Sequence, residues 1–325
     1  MSGAMGLWLV GGALASPGRP FVGDFEPRTV DDLVAFCAAH DTLTGDLRIG
    51  PAFPDADLHA LSCLRRLDGA LWVEGAPLLR ALDGLSGLDP SLPLRRLVVR
   101  DNPQLRSVAL PGPSGVVDVE IQGNPQLEAV AGLPPQLTGG RFVVTANPQL
   151  TRLDGPRARR PHTAIDTLTV ADNARLQVIS GFPQVESVRA LTLDALPALS
   201  AWSGPPRLRR AHTVVITGLP QLATLAPLAF LEAADHVSLG GLDALRALPP
   251  LPSLGTLGTL TLRGLPALED TEGLFANRTA TPLVGALAVD ACPGLRSPAP
   301  LALRLGGVVA APQVPPEAGR ATPAP

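Results

Sequence analysis

Apolar residues return along this chain on two nested periods. Over short stretches they alternate with other residues, as in Leu191-Thr192-Leu193. That is the two-residue period of a strand with two side chains turned inward. The stretches themselves recur every 22–27 residues. LVVRDNPQL (97–105), VEIQGNPQL (119–127), FVVTANPQL (142–150), LTVADNARL (168–176), LTLDALPAL (191–199), VVITGLPQL (214–222), VSLGGLDAL (237–245), LTLRGLPAL (260–268) and LAVDACPGL (287–295) align without gaps. Looser copies start at Leu47 and Leu71, and a partial one at Leu303.

Each copy predicts a short strand ended by a proline, which has no N–H to give to a ladder. A leucine two residues later turns inward again. A further apolar anchor follows at Val108, Val130, Leu153, Ile179, Leu225 and Leu248. A segment that leaves a strand and returns one strand spacing further on cannot bury its own apolar face; stacked neighbours must do so. The expected fold is therefore mainly β: a right-handed parallel β-helix, or leucine-rich-repeat-like solenoid, of about eleven coils. Ten steps of about 4.8 Å give a rod of roughly 48 Å.

The sixth position of the copies reads Asn102, Asn124, Asn147 and Asn173, then Leu196, Leu219, Leu242, Leu265 and Cys292. Stacked asparagines can bond a tight corner's backbone and one another, so these four are read as a structural ladder rather than a binding site. By the same logic Cys292 is expected to be a small buried hydrophobe. Ahead of the first coil, Thr29 and Asp32 form a capping-box pattern, and Val30, Leu33, Phe36 and Cys37 recur at helical spacing. A short helix over 30–39 is expected to close the open end of the stack, which otherwise exposes strand edges and core.

Composition sharpens this picture. Of the 325 residues 46% are hydrophobic, but only 3% are aromatic and none is Tyr. The core must be filled by aliphatic side chains in thin layers. The 33 Gly and 36 Pro imply many turns and argue against long helices. A net charge of −3 offers no basic field for nucleic acid or anionic lipid. All basic residues are Arg, which with the Ala, Gly and Pro usage points to a GC-rich genome. The apolar run from Ala4 to Ala15 ends in Ala13-Leu14-Ala15, a small-x-small cleavage pattern that reads as an export signal. It is too short to span a bilayer, and charges and prolines interrupt every later apolar run, so no membrane insertion is expected. The resulting organisation is a signal peptide over 1–15, an N-terminal cap over 16–44, a solenoid over 45–306 and a disordered Pro/Ala-rich tail over 307–325.

The cap and first coils resemble the receptor L-domain family. The marks are Phe36-Cys37 at the helix end, then Thr42-Leu43-Thr44-Gly45-Asp46-Leu47-Arg48-Ile49, then Leu61, Leu64, Leu67, Gly69, Leu71 and Val73, and the NPxL copies. The resemblance covers about residues 22–300 and is most specific at the N-terminal end. It implies a right-handed β-solenoid, usually extracellular and used for recognition, here as an exported bacterial member. The sequence has no Cys-rich modules, kinase, membrane anchor or lipobox Cys, so a receptor role is not carried over.

With three cysteines, at least one is unpaired in a monomer. Cys37 and Cys63 fall close together in the coiled arrangement; they are either bridged or two reduced, semi-buried thiols. The outward strand residue can be read directly as Arg48, Trp72, Val98, Glu120, Val143, Thr169, Thr192, Val215, Ser238, Thr261 and Ala288. That row has one acid and no carboxylate pair for general acid–base work. The five His are scattered with no H-x-x-x-H spacing, and no phosphate-binding Gly loop or G-x-S-x-G elbow occurs, so neither a metal nor a cofactor is expected. Chemical character gathers at the N-terminal end, in Trp72, Glu74, Arg96, Arg100, Asp118, Glu120 and Arg141. Such a group can anchor a peptide or stack a sugar, or be a solvated edge with ion pairs worth little. Asn277-Arg278-Thr279 fits a glycosylation pattern by accident of sequence. The expected function is a non-catalytic recognition scaffold, secreted, periplasmic or at the cell surface, with a protein or glycan as partner. A self-associating surface protein and a carbohydrate-active β-helix enzyme are the alternatives.

Overall fold

The computed structural model describes residues 18–89, 91–92, 94–109, 116–131, 133, 140–156, 163–269, 271, 283–295 and 308–310. The expected signal peptide, the Asn277-Arg278-Thr279 pattern and residues 311–325 of the tail lie outside them. Twelve parallel strands form one long sheet: β1 (Leu47–Ile49), β2 (Ala70–Glu74), β3 (Leu94–Arg100), β4 (Val116–Gln122), β5 (Arg141–Thr145), β6 (Thr163–Ala171), β7 (Val185–Asp194), β8 (Arg210–Thr217), β9 (Ala233–Gly240), β10 (Thr256–Arg263), β11 (Leu283–Asp290) and β12 (Val308–Ala310). They neighbour one another in chain order, with Leu97 opposite Val119, Val119 opposite Phe142 and Phe142 opposite Leu168. Residues one period apart therefore lie directly over one another, and the chain is a mainly β solenoid.

The eleven aligned copies coincide with β1–β11, but the solenoid makes about nine turns rather than eleven. β12 forms at the start of the tail expected to be disordered, pairing Val308 with Ala286.

A second parallel sheet has five short strands, Ser107–Ala109, Ala129–Ala131, Arg152–Asp154, Val178–Ser180 and Ala201–Trp202. The first four contain the anchors Val108, Val130, Leu153 and Ile179. The sheet stops at the next coil, where Ala226–Leu228 forms a 3-10 turn carrying Pro227, a residue that cannot donate to the ladder. Between the sheets the leucine columns are buried, with Leu97, Leu105, Leu191, Leu199 and Leu222 all fully inaccessible.

The corner after each long strand turns on one residue with positive φ: Asp101 (53°), Ala146 (55°), Asp172 (55°), Ala195 (50°) and Ala291 (51°), with glycine at 75, 123, 218, 241 and 264. The four asparagines follow this residue directly and are fully buried. Asn124 Nδ2 donates to Val99 O (3.1 Å), Gln122 O (3.0 Å) and Asn147 Oδ1 (3.1 Å). Asn124 Oδ1 accepts from the backbone and side-chain nitrogens of Asn102, at 3.1 and 3.0 Å. In the leucine half the equivalent N–H finds a backbone acceptor instead: Leu196 N donates to Gly218 O (3.2 Å) and Leu219 N to Gly241 O (3.1 Å). Cys292 continues this column but is half-buried rather than buried, because it sits in the last described layer of the column, above Leu265.

The cap helix α1 spans Val30–Ala39. Its capping box is complete: Asp32 N donates to Thr29 Oγ1 (3.2 Å), and Thr29 N to Asp32 Oδ2 (2.9 Å). Leu33 and Phe36 are buried against the first coil. Cys37 and Cys63 are joined by a disulfide, with Cα atoms 5.6 Å apart. Phe21 and Phe25 bridge to Leu43 and Leu47, which covers the edge of the stack. Among the described residues, no helix is long and apolar enough to cross a membrane.

Candidate functional site

The strand registers place the outward residues in one unbroken row from Arg48 through Trp72, Val98 and Glu120 to Ala288. Past Glu120 the row holds only Val, Thr, Ser and Ala. Its N-terminal end holds the charged and aromatic residues, and they interlock.

Asp46, just before β1, is the hub of that end. Its Oδ1 accepts the Ala70 N–H (2.9 Å), while its Oδ2 accepts Trp72 Nε1–H (3.1 Å) and Arg48 Nη2–H (2.6 Å). Asp46 N in turn donates to Asp24 Oδ1 (2.9 Å). Two guanidiniums lie against the Trp72 ring, Arg48 at 5.2 Å and Arg96 at 5.5 Å from its centroid. Both are within cation–π range, and they come from the strands on either side of Trp72. The indole is thereby fixed in orientation by one hydrogen bond and two cations.

Further along, Arg100 on β3 donates its Nε to Glu120 Oε1 (2.9 Å), and its Nη2 contacts the same oxygen. Glu120 is 9% exposed and Val98, between it and Trp72, is fully buried although it points outward. The surrounding side chains close over that stretch of the sheet. Arg96 Nε lies 3.6 Å from Asp118 and is buried without a hydrogen bond. Asp118 Oδ1 accepts the Arg141 backbone N–H (2.8 Å). The Arg141 side chain is exposed and forms no ion pair with a described residue. Glu74 lies opposite Arg100 but is exposed, since Arg100 is engaged by Glu120.

The structure thus brings Trp72, Arg96, Arg100, Asp118, Glu120 and Arg141 into one surface cluster, with Glu74 at its margin. Sequence reasoning missed Asp46 and Asp24 as its organisers. The available signal was the repeat itself: Asp46 precedes Ala70 by 24 residues, one coil. Among the described residues no group of three or more His, Cys, Asp or Glu is arranged to hold a metal ion. Compared with models of known protein families and with curated proteins, the chain matches none.

Proposed function

We propose that this chain is a non-catalytic recognition scaffold of the receptor L-domain kind. It acts outside the cytoplasm, as a secreted, periplasmic or cell-surface protein, and docks a partner on the N-terminal end of its outer sheet face. One observation carries this reading. A tryptophan held by Asp46, Arg48 and Arg96 stands near one end of a row of outward residues that past Glu120 holds only small side chains. Tryptophan and arginine are the residues that anchor interfaces when they are held rigid.

The same geometry favours a protein over a glycan. Stacking a sugar requires a free ring face, and the guanidiniums of Arg48 and Arg96 already lie over this ring. What remains for a partner is the half-buried indole with Glu74 on its own strand, Arg96 on the next and Arg141 two strands beyond. Such alternating charges complement a protein surface. The test is capture from the native cell envelope by wild-type chain and by the Trp72→Ala/Arg96→Ala variant, compared quantitatively. A partner held by the wild type and depleted at least tenfold with the variant supports the proposal. Identical recovery with both proteins, or loss of polymer mass when the chain is incubated with polysaccharides, overturns it.

A further inference from the structure

We propose that His212 and His236 form a two-imidazole site for a first-row divalent cation, holding Cu²⁺ most tightly. The two residues lie on β8 and β9, which are adjacent strands, and their rings meet edge to face with centroids 5.7 Å apart. Metal–nitrogen bonds of about 2.0–2.1 Å put the centroids of two imidazoles sharing one ion roughly 4.5–6.5 Å apart. The observed separation falls within that range, and both rings are exposed.

The hydrogen bonds decide which nitrogens are free. His212 Nδ1 lies 2.5 Å from Asp235 Oδ2, a carboxylate oxygen that can only accept when ionised. The proton is therefore on Nδ1, and Nε2 keeps its lone pair. His236 Nδ1 lies 2.7 Å from Thr259 Oγ1. With the Thr259 hydroxyl proton turned toward Asp235 O (3.5 Å), its oxygen accepts from His236 Nδ1–H. That again leaves Nε2 with a lone pair. Histidine ligands to metals characteristically give the other ring N–H to a carboxylate, carbonyl or similar acceptor, which fixes tautomer and orientation. Both imidazoles have that support before any ion arrives.

The charged surroundings suit a cation. Asp235 contributes its carboxylate beside His212. In the same column of the sheet Asp166 and Arg189 precede His212 by two coils and one coil, and their charges offset. Two nitrogens leave the remaining positions to water, so binding is weaker than in closed sites with three or four ligands. For nitrogen ligands of this kind Cu²⁺ is favoured over Ni²⁺, Co²⁺ and Zn²⁺. The site lies six strands from Trp72, roughly 29 Å along the sheet at about 4.8 Å per strand, and is independent of the docking surface.

The experiment is Cu²⁺ titration of the full chain without an affinity tag, in a Cys292→Ser background, followed by electron paramagnetic resonance. The expected result is one ion per chain with couplings from two imidazole nitrogens. His212→Asn and His236→Asn should each remove one coupling and weaken binding at least tenfold, with the thermal melt unchanged. Asp235→Asn should weaken it roughly tenfold while keeping both couplings, and His59→Asn should change nothing. Absence of saturable binding, or binding that survives intact in the double His→Asn variant, overturns the proposal.

Discussion

Replacing Asn124 by leucine removes the centre of the buried ladder while keeping the residue type used in the second half of the chain. The substitution takes away an acceptor that serves two nitrogens of Asn102 and a donor that serves Val99 O and Gln122 O. Each buried polar group left without a partner costs about 1–3 kcal/mol. With partial relaxation, two such groups give about 2–5 kcal/mol. An unfolding entropy of about 2.1 cal/mol/K per residue amounts to roughly 0.7 kcal/mol/K for a chain of this size, so the melting midpoint should fall by about 3–7 °C. Exchanging all four asparagines for leucine removes donors and acceptors together. Asn102 N–H and its equivalents can then take the backbone acceptors that Leu196 and Leu219 use. The fourfold variant should therefore cost clearly less than the sum of the four single changes, the signature of a coupled network. Calorimetry on the five variants measures both quantities, comparing midpoints because stacked repeats need not unfold in two states. A single variant that melts within about 1 °C of the wild type, or strictly additive costs, would refute the argument.

Four further outcomes follow from the structure. Thiol titration in denaturant should find one free thiol without reductant and three with it; breaking the Cys37–Cys63 bond, which spans 26 residues, should lower stability by about 3 kcal/mol, and three thiols without reductant would contradict the bridge. Ala195→Gly should stabilise by about 0.5–1 kcal/mol, because alanine at φ 50° carries left-handed strain that exceeds glycine's added entropy cost; a lower melting midpoint would count against it. The backbone N–H groups of Arg28 and Thr29 hold the Asp32 carboxyl below its ordinary value of 3.8, so its contribution to the cap is complete above that value and fades as pH falls through the lower folded one; melts between pH 2 and 5 should show this slope in the wild type and lose it in Asp32→Asn. Burial raises the Cys292 thiol above its ordinary value of 9.0, so at pH 8 it should react with a disulfide reagent more slowly in the folded chain than in urea.

The strand starts, the leucine columns, the asparagine ladder and the cap helix could all be read from the sequence, because each is a consequence of one period. A leucine every 23 or so residues has only one way to be buried repeatedly, and the registers follow from it. The turn count differs slightly, about nine against the eleven copies. The corner geometry was also hidden. Positive φ falls on Gly, Asp and Ala in turn, and alanine carries no signal for a left-handed conformation. For the site, the sequence indicated which side chains face outward but not how they pair. The sequence left Trp72 able to stack a sugar, anchor a peptide or line a solvated edge, and the structure shows Arg48 and Arg96 over its ring.

The same period that builds the core also sets neighbours on the exterior, where no hydrophobic pattern marks them. Ion pairs join Arg96 to Asp118, Arg209 to Glu232 and Arg263 to Asp290, and a hydrogen bond joins His212 to Asp235. All join residues one coil apart. His212 and His236, separated by 24 residues, fail every linear ligand spacing yet share one patch of surface. Spacing rules such as H-x-x-x-H encode the pitch of a helix, so they are blind here; the relevant pitch is the coil. A surface motif in a solenoid is a column, and its members are found by adding the repeat length. On that rule the outer face divides by chemistry rather than by fold. The Trp72 cluster stands over the first coils and the start of the Asn ladder, and the paired imidazoles stand over coils with leucine. The inner column can change from polar to apolar without disturbing the strand registers, so each half can carry its own exterior chemistry on one continuous sheet.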